Sequence, residues 1–288
     1  MIDKIKTAVD CFDGSELVIG FADITFSFSD DTLHPCLSVR DAKYGLVQPL
    51  KGRTVATIPE IQLALRQGVD IDYHEAFVVD SLDGFIFRDA LKHLIDKRDE
   101  AKKVKDQLRD GLYKLIVNTL YGKTGQGINP KSDFDLRRTG AFTSGFSAVS
   151  QAYFATMITG GLRASLASLL VAMDELNLQG HNYFVVSATT DGVLYKTSTK
   201  NNPTFTDCLK DEFKADVYTA LESGDKVFKT FEDVDPVLYE KLLEFPALRL
   251  LQHSRKAWGY DEFIEIKHAV NSAYNIKTRG QIGAYSEN

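Results

Sequence analysis

Arg98–Gly122, RDEAKKVKDQLRDGLYKLIVNTLYG, is the stretch on which the reading of this chain turns. Arg98 and Lys102 are four residues apart and share a face if the segment is helical. Lys114, Asn118 and Tyr121 follow at spacings of four and three and line one stripe. Asp110-Gly111 lies between the two groups and predicts a break or bend, hence two helices presenting cations and polar groups. Fixed Lys and Arg donors of this kind suit a polyphosphate, whose charge they offset. The plain alternative is a solvated basic face, which is what most Lys/Arg-rich helices are.

Lys114-xxx-Asn118-Thr119-Leu120-Tyr121-Gly122 resembles the second signature motif of family B DNA polymerases, a Lys followed after three residues by Asn-Ser-x-Tyr-Gly. Arg98 and Lys102 stand upstream, where that family carries its other triphosphate-binding residues. The short gap from Lys102 to Lys114 is more similar to the compact fingers of the protein-primed phage and plasmid polymerases than to cellular replicases. A second motif agrees. His181–Tyr195, HNYFVVSATTDGVLY, reads as two apolar runs about a polar apex, a β-hairpin with Asp191-Gly192 as turn residues. The family's third motif is a hairpin with Asp-Thr-Asp at its tip; here Thr189-Thr190-Asp191 keeps only the second acid.

The chain has 288 residues, 44% hydrophobic and 26% charged, which is ordinary for a globular protein of one large or two average domains. Its net charge of −6 argues weakly against a nucleic-acid partner, but the distribution matters more. Arg88–Arg138 holds 13 Lys/Arg against 8 Asp/Glu, a local +5, whereas 202–245 holds 5 Lys against 11 Asp/Glu, a local −6. Three scattered cysteines, Cys11, Cys36 and Cys208, form neither metal spacing nor a disulfide framework, so a reducing, cytoplasmic setting is expected. No secretory leader is visible. The most apolar region, Phe146–Leu178, is broken by Gln151, Arg163, Asp174 and Glu175; it predicts a long, mostly buried helix rather than a membrane span.

Along the chain, Ile2–Phe12 predicts a helix, Glu16–Phe28 a strand, Leu37–Leu50 a second short strand with turns, Pro59–Gln67 a helix stopped by Gly68, and Val69–Val79 a strand. Phe85–Tyr121 is helical. Gly122-Lys123-Thr124 ends like a phosphate loop, but Val117 stands where that pattern needs Gly, and a helix precedes it instead of a strand. Gly125–Ser144 reads as a loop or small hairpin, and Gly145–Leu178 as helix, bending near Gly160-Gly161. Asn201–Glu244 is an acidic mix without evident chemistry. Leu248–Gly283 turns basic again, and Lys256-Ala257-Trp258 resembles the family's Lys-x-Tyr primer-template element with Trp in place of Tyr.

The resemblance implies an α+β fold: a polymerase palm-like antiparallel sheet with packed helices and a short two-helix fingers insertion. It divides the chain into a palm segment (1–83), fingers helices (84–124), palm with the long helix and metal-site hairpin (125–200) and a palm-edge or thumb-like end (201–288). It implies Mg2+-dependent nucleotidyl transfer from dNTPs to a primer 3′-hydroxyl. Arg98, Lys102 and Lys114 would contact the triphosphate. Asn118 and Tyr121 would shape the base-pair pocket, with Gly122 and Lys256 against the DNA, and Asp191 would ligate metal. Such chemistry uses two ions about 3.5–4 Å apart, held by at least two carboxylates. The family's first motif, Asp-x-x-Ser-Leu-Tyr-Pro, has no match; Asp23, in Ala22-Asp23-Ile24-Thr25-Phe26, is the nearest strand-borne acid. The expected partners are primer-template DNA, dNTPs and, for the missing acid, a second polymerase chain, with terminal protein as a further candidate; a truncated frame or a degenerate remnant are the alternatives. A different class is an inactive palm that binds DNA without chemistry. Asp191 is expected at a hairpin tip facing the Lys114 helix.

Overall fold

The computed structural model describes residues 19–79, 87–128, 132–135, 140–143, 145–189, 192–197, 231–257, 259, 263–264, 272–277 and 280–284. Two compact units emerge, one formed by 1–77 with 161–288, the other by 78–160.

The first unit is built on β1 (Ile19–Ser27), whose residues alternate strictly between buried and half-exposed, the period-2 signature of a strand with one covered face. β2 (Val39–Asp41) and β3 (Gly45–Val47) form a small hairpin. β4 (Lys51–Thr57) and β5 (Asp70–Val79) flank β1 in the order β4-β1-β5, with Phe21 opposite Thr57 and Ser27 opposite Lys51 in the antiparallel β1–β4 register. Between β4 and β5 runs α1 (Ile58–Arg66). Pro59 occupies its first turn, where no amide donor is required, and Gly68, at φ +73°, turns the chain out of it.

α4 (Ala152–Leu178) is one unbroken helix of 27 residues, and the boundary between the units falls inside it. After it come the antiparallel hairpin of β8 (Tyr183–Ala188) and β9 (Val193–Thr197) and three helices, α5 (Phe231–Val234), α6 (Pro236–Leu242) and α7 (Pro246–Ala257). The hairpin β10 (Ser272–Lys277)–β11 (Gly280–Ala284) closes the order. Ile24 and Phe26 of β1, Ile58 and Ile61 of α1, Met173 of α4, and Leu238, Leu242 and Phe245 are all at most 2% exposed. Each such side chain contributes about 1.5–3 kcal/mol by leaving water.

Charge pairs join distant parts of this unit. The Glu60 carboxylate, 2% exposed, accepts from the Thr57 amide (2.9 Å) and hydroxyl (2.7 Å) and from Arg163 Nε (2.7 Å) and Nη2 (3.2 Å). Arg66 donates to Glu175 and Glu244, and Lys241 lies 2.8 Å from each of the same two carboxylates.

The second unit contains α2 (Arg88–Lys103), α3 (Gln107–Thr124) and the hairpin β6 (Ser132–Asp135)–β7 (Gly140–Thr143). The strand pairs with a defined register are all antiparallel and alternate with helices, so the fold is α+β as expected.

Three local expectations change. The break between α2 and α3 falls at 104–106 rather than at Asp110-Gly111, because Lys105 takes a left-handed φ of +57° and Asp106 caps α3 by accepting from the Arg109 amide. α4 starts at Ala152 instead of Gly145. Upstream, Ser147 and Ser150 hydroxyls bond the Lys123 and Gln126 carbonyls, a local geometry that competes with helix. Nor is α4 mostly buried: only 28% of its most apolar 18-residue window is, and by length and composition alone that helix could cross a membrane. However, Arg163, Asp174 and Glu175 all pair with the protein's own side chains. The expected helix at Ile2–Phe12 lies outside the described residues.

Candidate nucleotide-binding site

The candidate site residues of the second unit sit on the α2–α3 hairpin. In α2, Leu91, Leu94, Ile95, Arg98 and Ala101 recur at helical spacing and form the more covered side. In α3 the covered side is Tyr113, Val117, Leu120 and Thr124, leaving two other faces open. Lys114, Asn118 and Tyr121 fall within an arc of about 60° at 3.6 residues per turn, and all three are exposed, Tyr121 by 46%. Gly122 borders them, and a Cβ added there would meet nothing within 4 Å. The expected polar stripe is therefore present and open to solvent.

The cations differ in what already holds them. Arg98 Nε donates to Asp110 Oδ1 at 2.8 Å, an ion pair in which both side chains are about two-thirds covered, tying α2 to α3. Lys102 lies 3.4 Å from Asp99 on its own helix, with both side chains at least 40% exposed, so that pairing is weak. Lys114 is exposed. Gly122-Lys123-Thr124 forms the last turn of α3, and the Thr124 hydroxyl donates to the Tyr121 carbonyl. That geometry excludes a phosphate loop between strand and helix.

The other candidates belong to the first unit. The β8–β9 hairpin exists where expected, its register running from Tyr183 opposite Thr197 to Ala188 opposite Val193, with a bulge between Val185 and Ser187. Thr189 closes the turn: its amide (2.8 Å) and hydroxyl (3.1 Å) both donate to the Gly192 carbonyl. Thr190 and Asp191 lie outside the described residues. Lys256 is exposed in the last turn of α7, and Trp258 is outside the described residues.

Asp23 is bound elsewhere. Arg53 on β4 grips it bidentately at 2.7 and 3.1 Å, and that pairing holds the carboxyl below its ordinary range. Among the described residues, no group of three or more His, Cys, Asp or Glu side chains could hold a metal ion.

Sequence reasoning missed Asp235. Fully buried, it accepts from the Tyr183 hydroxyl (3.0 Å), the Tyr195 hydroxyl (2.8 Å) and the Leu238 amide (3.1 Å). Burial, followed by the nearby carboxylate, raises both phenols well above their ordinary range, so they remain donors. Asp235-Pro236 is a readable helix start; nothing local signals the two tyrosines, 52 and 40 residues upstream.

Comparison with known proteins finds partial matches to DNA polymerases. Residues 6–144 match the family described as DNA polymerase type B, organellar and viral. The primer-independent DNA polymerase PolB of Escherichia coli is 35% identical over 186 residues, which is 62% of this chain but 21% of the relative; the chain thus spans about a fifth of that polymerase. Among solved structures, phi29 DNA polymerase complexed with primer-template DNA, a post-translocation binary complex, aligns at a TM-score of 0.44 and 14% identity, covering 66% of this chain and 33% of that one.

Proposed function

We propose that this chain, whose sequence is related to part of a family B DNA polymerase, supplies palm and fingers elements for DNA-directed DNA synthesis. The reaction is transfer of a nucleotidyl group from a dNTP to a primer 3′-hydroxyl with release of pyrophosphate. The observation that carries this reading is the open polar face of α3, where Lys114, Asn118 and Tyr121 stand together beside Gly122. We assign triphosphate contact to Lys114, Lys102 and Arg98, base-pair contact to Asn118 and Tyr121, and template contact to Gly122. Lys256, exposed at the end of α7, is assigned to the primer-template backbone. Residues 84–124 take the fingers role and the flanking segments the palm role, with 201–288 as the palm edge or a thumb-like end. The spread of cysteines supports a cytoplasmic setting.

The α2–α3 hairpin carries guanidinium and ammonium charge on one pair of helices before substrate arrives, and Arg98 is itself oriented by Asp110. Arg98 keeps further donors besides the one given to Asp110. Mg2+, when bound, supplies charge neutralisation and a more acidic primer hydroxyl. A hard dication takes oxygen ligands, and Asp191 is the acid assigned to it. Thr189 brings a neutral hydroxyl, already donated to Gly192, where the family has an acid, and Asp23 is paired with Arg53. A complete two-ion site therefore needs carboxylates beyond the described residues, and a second polymerase chain is one source of them. Terminal protein remains a candidate partner.

The second reading is an inactive polymerase-like module that binds DNA without chemistry; the Thr in place of an acid at position 189 favours it. Primer extension with Mg2+ and dNTPs, with and without a fragment carrying the first palm motif, separates the two. Extension in the complemented reaction supports the enzyme. Tight primer-template binding with no extension in either reaction supports the module.

A further inference from the structure

We propose that Asp235 is a positioning residue that clamps both strands of the β8–β9 hairpin and so sets the register in which Ala188 and Val193 enter the turn between them. The inference rests on the reading above, in which that turn serves the reaction centre. Three donors from three elements converge on one carboxylate. Oδ1 accepts from the Tyr183 hydroxyl on β8 and from the Leu238 amide at the start of α6, and Oδ2 accepts from the Tyr195 hydroxyl on β9.

A cap for α6 needs only one of these contacts. The other two reach separate strands, and they do so from a side chain with no exposure to solvent. In the register Val185 lies opposite Tyr195 and Tyr183 opposite Thr197, so the two phenols are diagonal neighbours with ring centroids 6.0 Å apart. Sliding or twisting one strand against the other would break a hydrogen bond to Asp235. Asn177 of α4 holds the start of β8 as well, exchanging bonds with the Tyr183 amide (2.7 Å) and carbonyl (2.8 Å). The base of the hairpin is thus pinned, and the bulge at Val185/Ser187 lies between this clamp and the turn. Apolar side chains could fill the same space without the desolvation cost of a carboxylate; what the hydrogen bonds add is direction.

The cations assigned to the nucleotide are carried by α2 and α3 and not by the hairpin strands, so loosening the clamp should alter turnover and leave dNTP binding alone. The test compares the full chain with Asp235→Asn, with Tyr195→Phe as a milder variant should Asp235→Asn fold poorly, and with Leu242→Ala as a core-weakened control. Two readouts are taken: hydrogen exchange of the amides in 183–197, and kcat and KM for dNTP incorporation in the complemented reaction. The expected result for Asp235→Asn and Tyr195→Phe is hairpin exchange faster by about tenfold or more, the loss of one hydrogen bond to a charged group. Their kcat should fall by a similar factor while KM for dNTP stays within about twofold. Leu242→Ala should leave kcat unmoved at a temperature where it is folded. Unchanged hairpin exchange in both variants overturns the clamp. Faster exchange with unchanged kcat overturns the positioning role and leaves a structural tie. No incorporation by the complemented wild-type chain refutes the polymerase reading, and the positioning role with it, while the exchange arm still reports on the clamp by itself.

Discussion

Lys114→Ala isolates one exposed cation from everything that holds the fold. Lys114 stands on the open face of α3, so its truncation should change stability by no more than about 0.5 kcal/mol. A hydrogen bond from its ammonium to a phosphate is worth about 1.5–3 kcal/mol, which at 1.4 kcal/mol per decade predicts about 10–150-fold weaker dNTP binding. Arg98 should show less, because a nucleotide must share its guanidinium with Asp110. The control is Lys123→Ala. Nine residues further along at about 100° each, Lys123 faces the opposite side of the helix and already donates to Gln126 at 2.6 Å. Titration of a fluorescent dNTP at about 0.1 M salt, where charges beyond about 10 Å are screened, reads the local contact rather than the net charge. Equal losses for Lys114→Ala and Lys123→Ala, or none for either, would refute a directed triphosphate face on α3.

Four further outcomes follow from the packing. Arg163→Met leaves the Glu60 carboxylate buried with only its Thr57 donors and should cost about 3 kcal/mol, seen as a lower denaturant midpoint without a change in slope. Gly111→Ala, mid-helix with open space around the added methyl, should stabilise by up to about 1 kcal/mol, whereas Gly127→Ala should destabilise, since φ is +78° and its Cβ would lie 2.9 Å from the Phe146 backbone. The hydrogen bond to Asp174 raises the pKa of His34 above 6.5 against the opposing effect of partial burial. Because the folded-state value is the higher, this pair stabilises fully below about pH 6.5 and its contribution fades as pH rises through the folded pKa. With His34 about a third exposed, the effect is below about 1 kcal/mol, and His34→Gln should flatten that part of the pH–stability curve.

What could be read from the sequence was local and periodic. β1, α1, β5 and the β8–β9 hairpin follow from alternation, Pro59, Gly68 and a polar apex, each a signal carried within a few residues. In the sequence Gly111 looks like the weak point between α2 and α3, yet a glycine inside a helix costs only about 1 kcal/mol, and the Asp106 cap decides the boundary. The start of α4 is not a local signal, because Ser147 and Ser150 bond carbonyls more than 20 residues away. Contacts such as Glu60–Arg163, Arg66–Glu175 and Asp235 with its tyrosines join residues 40 to 109 apart and leave no periodic trace. The polar stripe of α3 was legible because spacing alone determines a helical face; the pairing of Arg98 with Asp110 across two helices was not.

The most direct measurement is the single-turnover rate of Mg2+-dependent dNTP addition to a primer by this chain together with a fragment carrying the first palm motif. Extension that collapses in Asp191→Ala, and that in Lys114→Ala recovers at higher dNTP concentration, is the predicted result. Extension indifferent to both substitutions, or none from the wild type under any complementation, would contradict the account.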